Sequence, residues 1–284
     1  MIVFKKKTEI TAFLSAEKGK GQQIGFVPTM GALHEGHIAL IRTSRTENNI
    51  TVCSIFINPT QFNNPEDYSR YPVKINSDLT MLESTGCGVV FIPDNKEMYE
   101  NYSDDLISFN LGYLETICEG KYRPGHFKGV SLIVTKLFNI ISPDKAYFGQ
   151  KDLQQFAVIK KLVKDLSYNI KLRRVPTVRE PDGLAMSSRN LLLSAEDRPG
   201  ANILFNSLVK ARKLLLDGSS VDTIKKIIRN QMQNEPASNL EYFELVDAES
   251  FAIIQNYEGQ PNLAFCMAAY YRNIRLIDNI FIIE

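Results

Sequence analysis

Residues 22–37, "QQIGFVPTMGALHEGH", decide how the rest of the chain is read. The first six form a short apolar run that ends at Pro28. The next ten carry two glycines and two of the chain's three histidines, His34 and His37. Two more apolar runs follow, "ITVCSIFI" at 50–57, ending at Asn58-Pro59, and "GVVFIP" at 88–93. Segments that are apolar on both faces suit the buried strands of a parallel sheet. Helices are expected between them, over 37–48 after the glycine turn and over 76–85 ahead of Gly86.

The alternation continues. Val130, Ile133, Val134, Leu137, Phe138 and Ile141 follow the i, i+3, i+4 spacing of one helical face, and Pro143 stops that helix. "KAYFG" (145–149) reads as a short strand. Asp152 can cap the next helix, which carries Leu153, Phe156, Ile159 and Val163 on one side. "IKLRRVPTV" (170–178) is another strand. Strands and helices in strict alternation predict a doubly wound α/β sheet. The pattern changes near residue 190. "LSAEDR" (193–198) reads as a helix start, with Ser194 as cap and Asp197 three residues later. Helices are expected over 195–216 and 221–233, and after Pro236 come three strand-like runs with no long helix between them. Two domains are therefore expected: residues 1–188, and residues 189–284 as a smaller α+β domain with a short antiparallel sheet.

Apolar residues make up 44% of the 284 and charged residues 23%, ordinary globular values that supply a sizeable core. The formal net charge of +1 gives no global field toward nucleic acid or an acidic membrane. No apolar run approaches the ~18 residues of a membrane span. The N-terminus places its charges after its apolar residues, the reverse of a secretory signal, so a cytoplasmic protein is expected. Cys53, Cys87, Cys118 and Cys266 form no CxxC pair and read as buried thiols.

Loops that follow the strands of a parallel sheet gather at its carboxyl edge, where ligands bind. Here those loops are polar: "PTMGALHEGH", "NPTQF", "GQKD" and "DGLAMSSRN". Three readings of the first stand side by side. A metal site is disfavoured, because H-E-G-H is one residue shorter than the zincin H-E-x-x-H and Gly36 disfavours a helix through it. A phosphate site fits a glycine turn entering a helix N-terminus, with free backbone N–H groups and two imidazoles as donors. An ordinary surface turn is the third. In "GQKD", Lys151 can reach phosphate as a point charge, while Asp152 caps its helix or meets ribose hydroxyls. In "MSSR", Ser187, Ser188 and Arg189 suit the outer phosphates on a loop able to close. Gln61 and Gln155 suit an uncharged hydroxyl or a carboxylate. Arg123 and His126, in "RPGHF", support the site, contact the leaving phosphates, or hold the loop through a structural salt bridge. No GxxxxGK[ST] occurs, so this is not a P-loop protein.

His-x-x-His in a glycine turn with a later Met-Ser-Ser loop resembles the adenylyl-transfer superfamily of class I aminoacyl-tRNA synthetases and nucleotidylyltransferases. More narrowly, "FVPTMGALHEGH", "SIFINPTQF", "RYP", "RPGHFKGV", "YFGQKDLQQ", "DGLAMSSRN" and "RLIDN" resemble the pantothenate synthetase family, in the family's order over residues 26–279. The resemblance implies a Rossmann-like sheet with a smaller C-terminal domain covering the nucleotide. It implies ATP-dependent condensation of (R)-pantoate with β-alanine through pantoyl-adenylate, releasing AMP and pyrophosphate. Mg²⁺ would be held mainly through the ATP phosphates, with no protein metal site, and the enzyme would be a cytoplasmic homodimer with no nucleic-acid or membrane partner.

By the same resemblance ATP would lie on Met30, Gly31, Ala32, Leu33, His34, Glu35, Gly36 and His37, and on Gly149, Gln150, Lys151 and Asp152. Val178 and Met186 would adjoin adenine, and Ser187, Ser188 and Arg189 the outer phosphates. His37, His34 and Lys151 would be catalytic. Gln61 and Gln155 would hold pantoate, with Gln61 also near β-alanine. Gln150 departs from the family pattern, where many members carry Glu. Three rivals differ in assay: a nucleotidylyltransferase would keep AMP on its product, a synthetase-like RNA binder would need a basic face, and a binding module would take nucleotide without pyrophosphate exchange.

Overall fold

The computed structural model describes residues 1–100 and 106–283. Six strands form one parallel sheet: β1 (Ile2–Phe4), β2 (Ile24–Thr29), β3 (Ile50–Ile55), β4 (Val89–Phe91), β5 (Lys145–Gly149) and β6 (Lys171–Val175), in the order β1-β4-β3-β2-β5-β6. This is the doubly wound α/β sheet that the alternation predicts. β3 and β4 are buried almost throughout, which is why they read as continuous apolar runs. From β2 the chain builds toward β3 and β4 on one side, and later from β5 toward β6 on the other. β2 and β5 therefore flank the topological switch point, outside whose carboxyl ends such sheets bind ligands. The segment leaving β2 is the histidine loop. The one leaving β5 is the short turn Gln150–Asp152.

Several element ends differ from expectation, each for a local reason. β2 does not stop at Pro28 but runs to Thr29. Pro28 pairs with Ser54 of β3, while β5 joins β2 only at Gly25 and Phe26, so the proline's missing N–H leaves no gap on the β5 side. The next helix spans Glu35–Glu47, so Gly36 lies within its first turn rather than preventing it. The apolar helix spans His126–Ile141, and His126 opens it. Its end is Ser142 at φ 46°, one residue before Pro143. β1 was not expected: three half-exposed residues at a sheet edge carry no periodic signal.

The chain forms two compact units whose segments alternate along the sequence. The first comprises Met1–Gly112, Arg123–Gly149 and Val158–Pro176, and the second Tyr113–Tyr122, Gln150–Ala157 and Thr177–Glu284. In the second, β7 (Ser238–Asp247), β8 (Leu263–Tyr271) and β9 (Ile274–Phe281) make the expected antiparallel sheet in the order β7-β8-β9. Helices Ile203–Leu216 and Val221–Gln233 bury Leu204, Leu208, Ile224 and Ile228 with Phe265 and Met267 of β8 in one core. The helix expected from residue 195 begins only at Ile203. Asp197 N does donate to Ser194 Oγ (3.0 Å), but Pro199 cannot continue a helical ladder, and turns with a 3-10 segment at Gly200–Asn202 fill the gap.

Buried polar contacts explain why Tyr113–Tyr122 belongs to this second unit. Arg275 of β9 donates to both carboxylate oxygens of Glu119 (2.7 and 2.9 Å), and Tyr242 Oη donates to the same residue at 2.9 Å. Gln154 accepts from Glu119 N and donates to Leu114 O and Ile117 O. An ion pair this buried survives because every one of its groups is hydrogen-bonded. All four cysteines are free and buried, and burial pushes the Cys87 thiol up to about 11. Among the described residues no helix is long and apolar enough to cross a membrane.

Candidate active site

The two histidines at the end of β2 do something the sequence did not announce. His34 is the N-cap of helix Glu35–Glu47 and His37 is its third residue, and the two cap each other reciprocally. His34 Nδ1 accepts from Gly36 N at 3.1 Å, and His37 Nδ1 accepts from His34 N at 3.3 Å. The ring centroids lie 4.1 Å apart. A ring nitrogen that accepts a backbone N–H carries no proton of its own, so each neutral imidazole holds its proton at Nε2. Both rings are therefore set as N–H donors at the positive end of a helix dipole, where anions are favoured.

Much of the backbone of the turn is spent internally. Gly31 N donates to Thr29 Oγ1, Ala32 N and Leu33 N donate to Asp78 (2.9 and 2.8 Å), and His37 N donates to His34 O. Fewer of the loop amides are therefore open than the glycine turn suggests, and Asp78 holds the loop that carries the imidazoles. Gly31 at φ 84° and Ala32 at φ 48° make the tight bend. Ala32 has a Cβ that resists this conformation, and the two bonds to one buried carboxylate over-determine it. Asp78 escaped the sequence reading, although a carboxylate four residues before buried Leu82, on the inner face of helix Ile75–Thr85, is the signal that marks it.

A second network fixes Gln61. Tyr99 Oη and Thr60 Oγ1 donate to Asn58 Oδ1 (2.5 and 3.0 Å), and Asn58 Nδ2 donates to Gln61 Oε1 (3.0 Å) and to Gly129 O (3.2 Å). Because Gln61 Oε1 accepts, its Nε2 is the donor end, and it meets Met30 Sδ at 2.9 Å. Met30 and Gln61, both expected at the site, are thus in contact. His126 is 5% exposed and lies beneath. Arg123 Nη1 can only donate, so His126 Nε2 accepts from it (3.0 Å) and His126 Nδ1–H donates to Gln61 O (2.7 Å). The Arg123–His126 pair thus braces the Gln61 turn.

In the second unit, Lys151 sits in the turn after β5 with its ammonium 3.7 Å from Asp152. Gln155 is half-buried on the following helix, Leu153–Asp165. Residues 177–186 fold back on themselves: Arg179 bridges Ala185, and Met186 N donates to Val178 O at 3.0 Å. That pairing places Val178 opposite Met186, the two residues expected beside adenine. Ser187 accepts from Arg189 N, capping the 3-10 turn Ser188–Leu192, and Ser188 is buried. At the tip of the fold-back, Asp182 takes a bidentate bond from Arg198 (2.6 and 3.0 Å), which holds its carboxyl below the usual range. A lowered folded-state value means this bond stabilises fully above the ordinary Asp range and is lost as pH falls through it. Asp182→Asn is expected to melt below the parent protein at pH 7, with the gap closing below about pH 4. A gap independent of pH would contradict that assignment.

The parallel sheet, its switch point and a pair of helix-capping imidazoles define a nucleotide-binding α/β enzyme class. The sequence model of the pantoate-β-alanine ligase family matches residues 2–281. The pantothenate synthetase of Acetivibrio thermocellus is 46% identical over 283 residues, covering 99% of each chain, and that of Cytophaga hutchinsonii is 43% identical over 284 residues and all of both chains. Pantothenate synthetase from Thermus thermophilus superimposes with a TM-score of 0.92 at 37% identity, over 99% of each chain. The Francisella tularensis pantoate-β-alanine ligase, solved with β,γ-ATP and β-alanine, does so at 0.79 and 35%, over 99% of this chain and 98% of that one. The chain belongs to the pantoate-β-alanine ligase family of enzymes.

Proposed function

We propose that the protein joins (R)-pantoate to β-alanine in two steps at the carboxyl end of β2 and β5. The pantoate carboxylate attacks the α-phosphorus of ATP and pyrophosphate leaves, giving pantoyl-adenylate. The amine of β-alanine then attacks the acyl carbon, the acyl–phosphate bond breaks, AMP leaves, and the amine gives up a proton to solvent. The observation that carries this reading is the reciprocal histidine cap, which uses both Nδ1 atoms as acceptors and so makes two neutral Nε2–H donors at a helix N-terminus rather than two charged acids. Such pre-set donors favour charge growing on a phosphoryl oxygen and cost no reorganisation as it grows.

In this reading the segments Met30–His37 and Gly149–Asp152, together with Val178, Met186, Ser187, Ser188 and Arg189, take ATP. His34, His37 and Lys151 are catalytic, Gln61 and Gln155 hold pantoate, and Gln61 also serves β-alanine. The fixed orientation of Gln61, which leaves Nε2 as a donor with a second N–H, suits a carboxylate or hydroxyl oxygen. Mg²⁺ arrives with ATP and is held through its phosphates. The functional division follows residues 1–188 and 189–284, the latter closing over the nucleotide, in a cytoplasmic homodimer.

The test is pyrophosphate exchange. Labelled pyrophosphate should enter ATP with pantoate alone, and AMP should appear only on adding β-alanine. Exchange supported by another acid but not by pantoate would overturn the substrate assignment.

A further inference from the structure

"RLIDN" (275–279) matched the family but found no role in the reaction. In the structure it lies on β9, an outer strand of the small sheet, and its last two residues reach the segments assigned above to ATP. Asn279 Nδ2 donates to Gln150 O and Lys151 O, both at 2.9 Å. One amide thus binds two successive carbonyls of the turn that carries Lys151. Asp278, 3% exposed, receives a bidentate bond from Arg179 (2.7 and 3.0 Å). The same guanidinium donates to Asn279 O (3.0 Å) and to Gly183 O (3.1 Å). It also stacks 4.3 Å over the Phe205 ring, the ring that a Cβ on Gly183 would strike. Arg179 therefore ties both ends of the 179–183 bend to β9.

We infer that Asp278 and Asn279 are positioning residues for ATP: adjacent positions on one strand set the Lys151 turn and, through Arg179, the loop that leads to Met186–Arg189. The inference rests on the reading that these two segments bind ATP. A bidentate guanidinium–carboxylate pair and a doubly donating amide are directional, so they set orientation as well as attachment. A displaced phosphate ligand loses rate steeply, because alignment supplies much of the acceleration. Neither side chain needs to touch substrate.

The test uses the full chain and two variants that load separate arms. Asn279→Ala should speed backbone hydrogen exchange in 149–156 and leave 179–187 as before. Arg179→Lys, which keeps the charge but loses the fork, should do the reverse. In pyrophosphate exchange and overall turnover each should raise the KM for ATP about tenfold and lower kcat, with the KM for β-alanine within about twofold. Unchanged exchange in both segments would overturn the inference, and so would loosened segments with an unchanged KM for ATP. If the parent protein shows no pyrophosphate exchange, the ATP reading fails by itself, and the hydrogen-exchange pattern alone then decides whether Asp278 and Asn279 hold the two segments.

Discussion

His37→Ala is expected to lower pantoate-dependent pyrophosphate exchange by about 10²–10³-fold, the loss typical of one pre-set donor at a developing oxyanion. Stability should fall by only about 1 kcal/mol, the worth of a helix cap. Two further substitutions separate the jobs of the ring. Glutamine places an N–H donor where Nε2 stands but leaves the cap position without an acceptor. Asparagine places an acceptor where Nδ1 stands and has nothing at the Nε2 position. Because His37 Nδ1 accepts from His34 N, the ring's proton is at Nε2. If it acts by hydrogen bonding, His37→Gln should exchange at least about tenfold faster than His37→Asn, and His37→Asn should melt higher. Equal loss of exchange in both would point to proton transfer by the imidazole and sink the hydrogen-bonding role. Normal exchange in a folded His37→Ala variant would remove His37 from the site altogether.

Gly129→Ala is the second large effect, and its sign runs against helix propensity. Gly129 sits inside helix His126–Ile141, where alanine gains about 1 kcal/mol over glycine. A Cβ there would lie 2.2 Å from Thr60 O, 2.4 Å from Thr60 C and 2.6 Å from Gln61 N. These are backbone atoms of the 3-10 turn Pro59–Gln61, which cannot swing aside as a side chain can. Gly129 O also accepts from Asn58, so the same step pushes on the amide that orients Gln61. Overpacking of this kind costs about 1–3 kcal/mol and exceeds the propensity gain. The substitution should lower the melting temperature by several degrees and raise the KM for pantoate at least about tenfold, since Gln61 is displaced from its working position. A variant as stable as the parent with an unchanged pantoate KM would show that the turn yields freely.

Much of the fold is legible in short patterns. The apolar runs at 50–57 and 88–93 become β3 and β4 because buried parallel strands need apolar side chains on both faces. Helix Val221–Gln233 has its expected bounds, with Ser220 as its cap. The misplaced ends have one cause in common: a local signal outweighed by its surroundings. Pro28 reads as a strand end but is accepted where β5 has already diverged. Ser194 and Asp197 make their capping contact, yet Pro199 blocks the helix they would begin.

The site divides in the same way. Residue types and spacing mark Met30–His37, Gln61, Lys151 and Met186–Arg189, because polar groups in strand-end loops are few and their order along the chain is visible. What those groups can do was decided in three dimensions. Nothing in "HEGH" says that the rings cap one another, nor that Asp78, more than forty residues on, takes the amides that seemed free for phosphate. Likewise Asn279, 128 residues after Lys151, holds its carbonyl. The sequence by itself determined the sheet class, the family and the residues to suspect, since periodicity and spacing are local properties. The tertiary structure alone decided tautomers, amide orientations and which backbone groups remain for a ligand. Those depend on hydrogen-bond partners brought together from distant segments, and each donor or acceptor used inside the protein is one fewer for substrate.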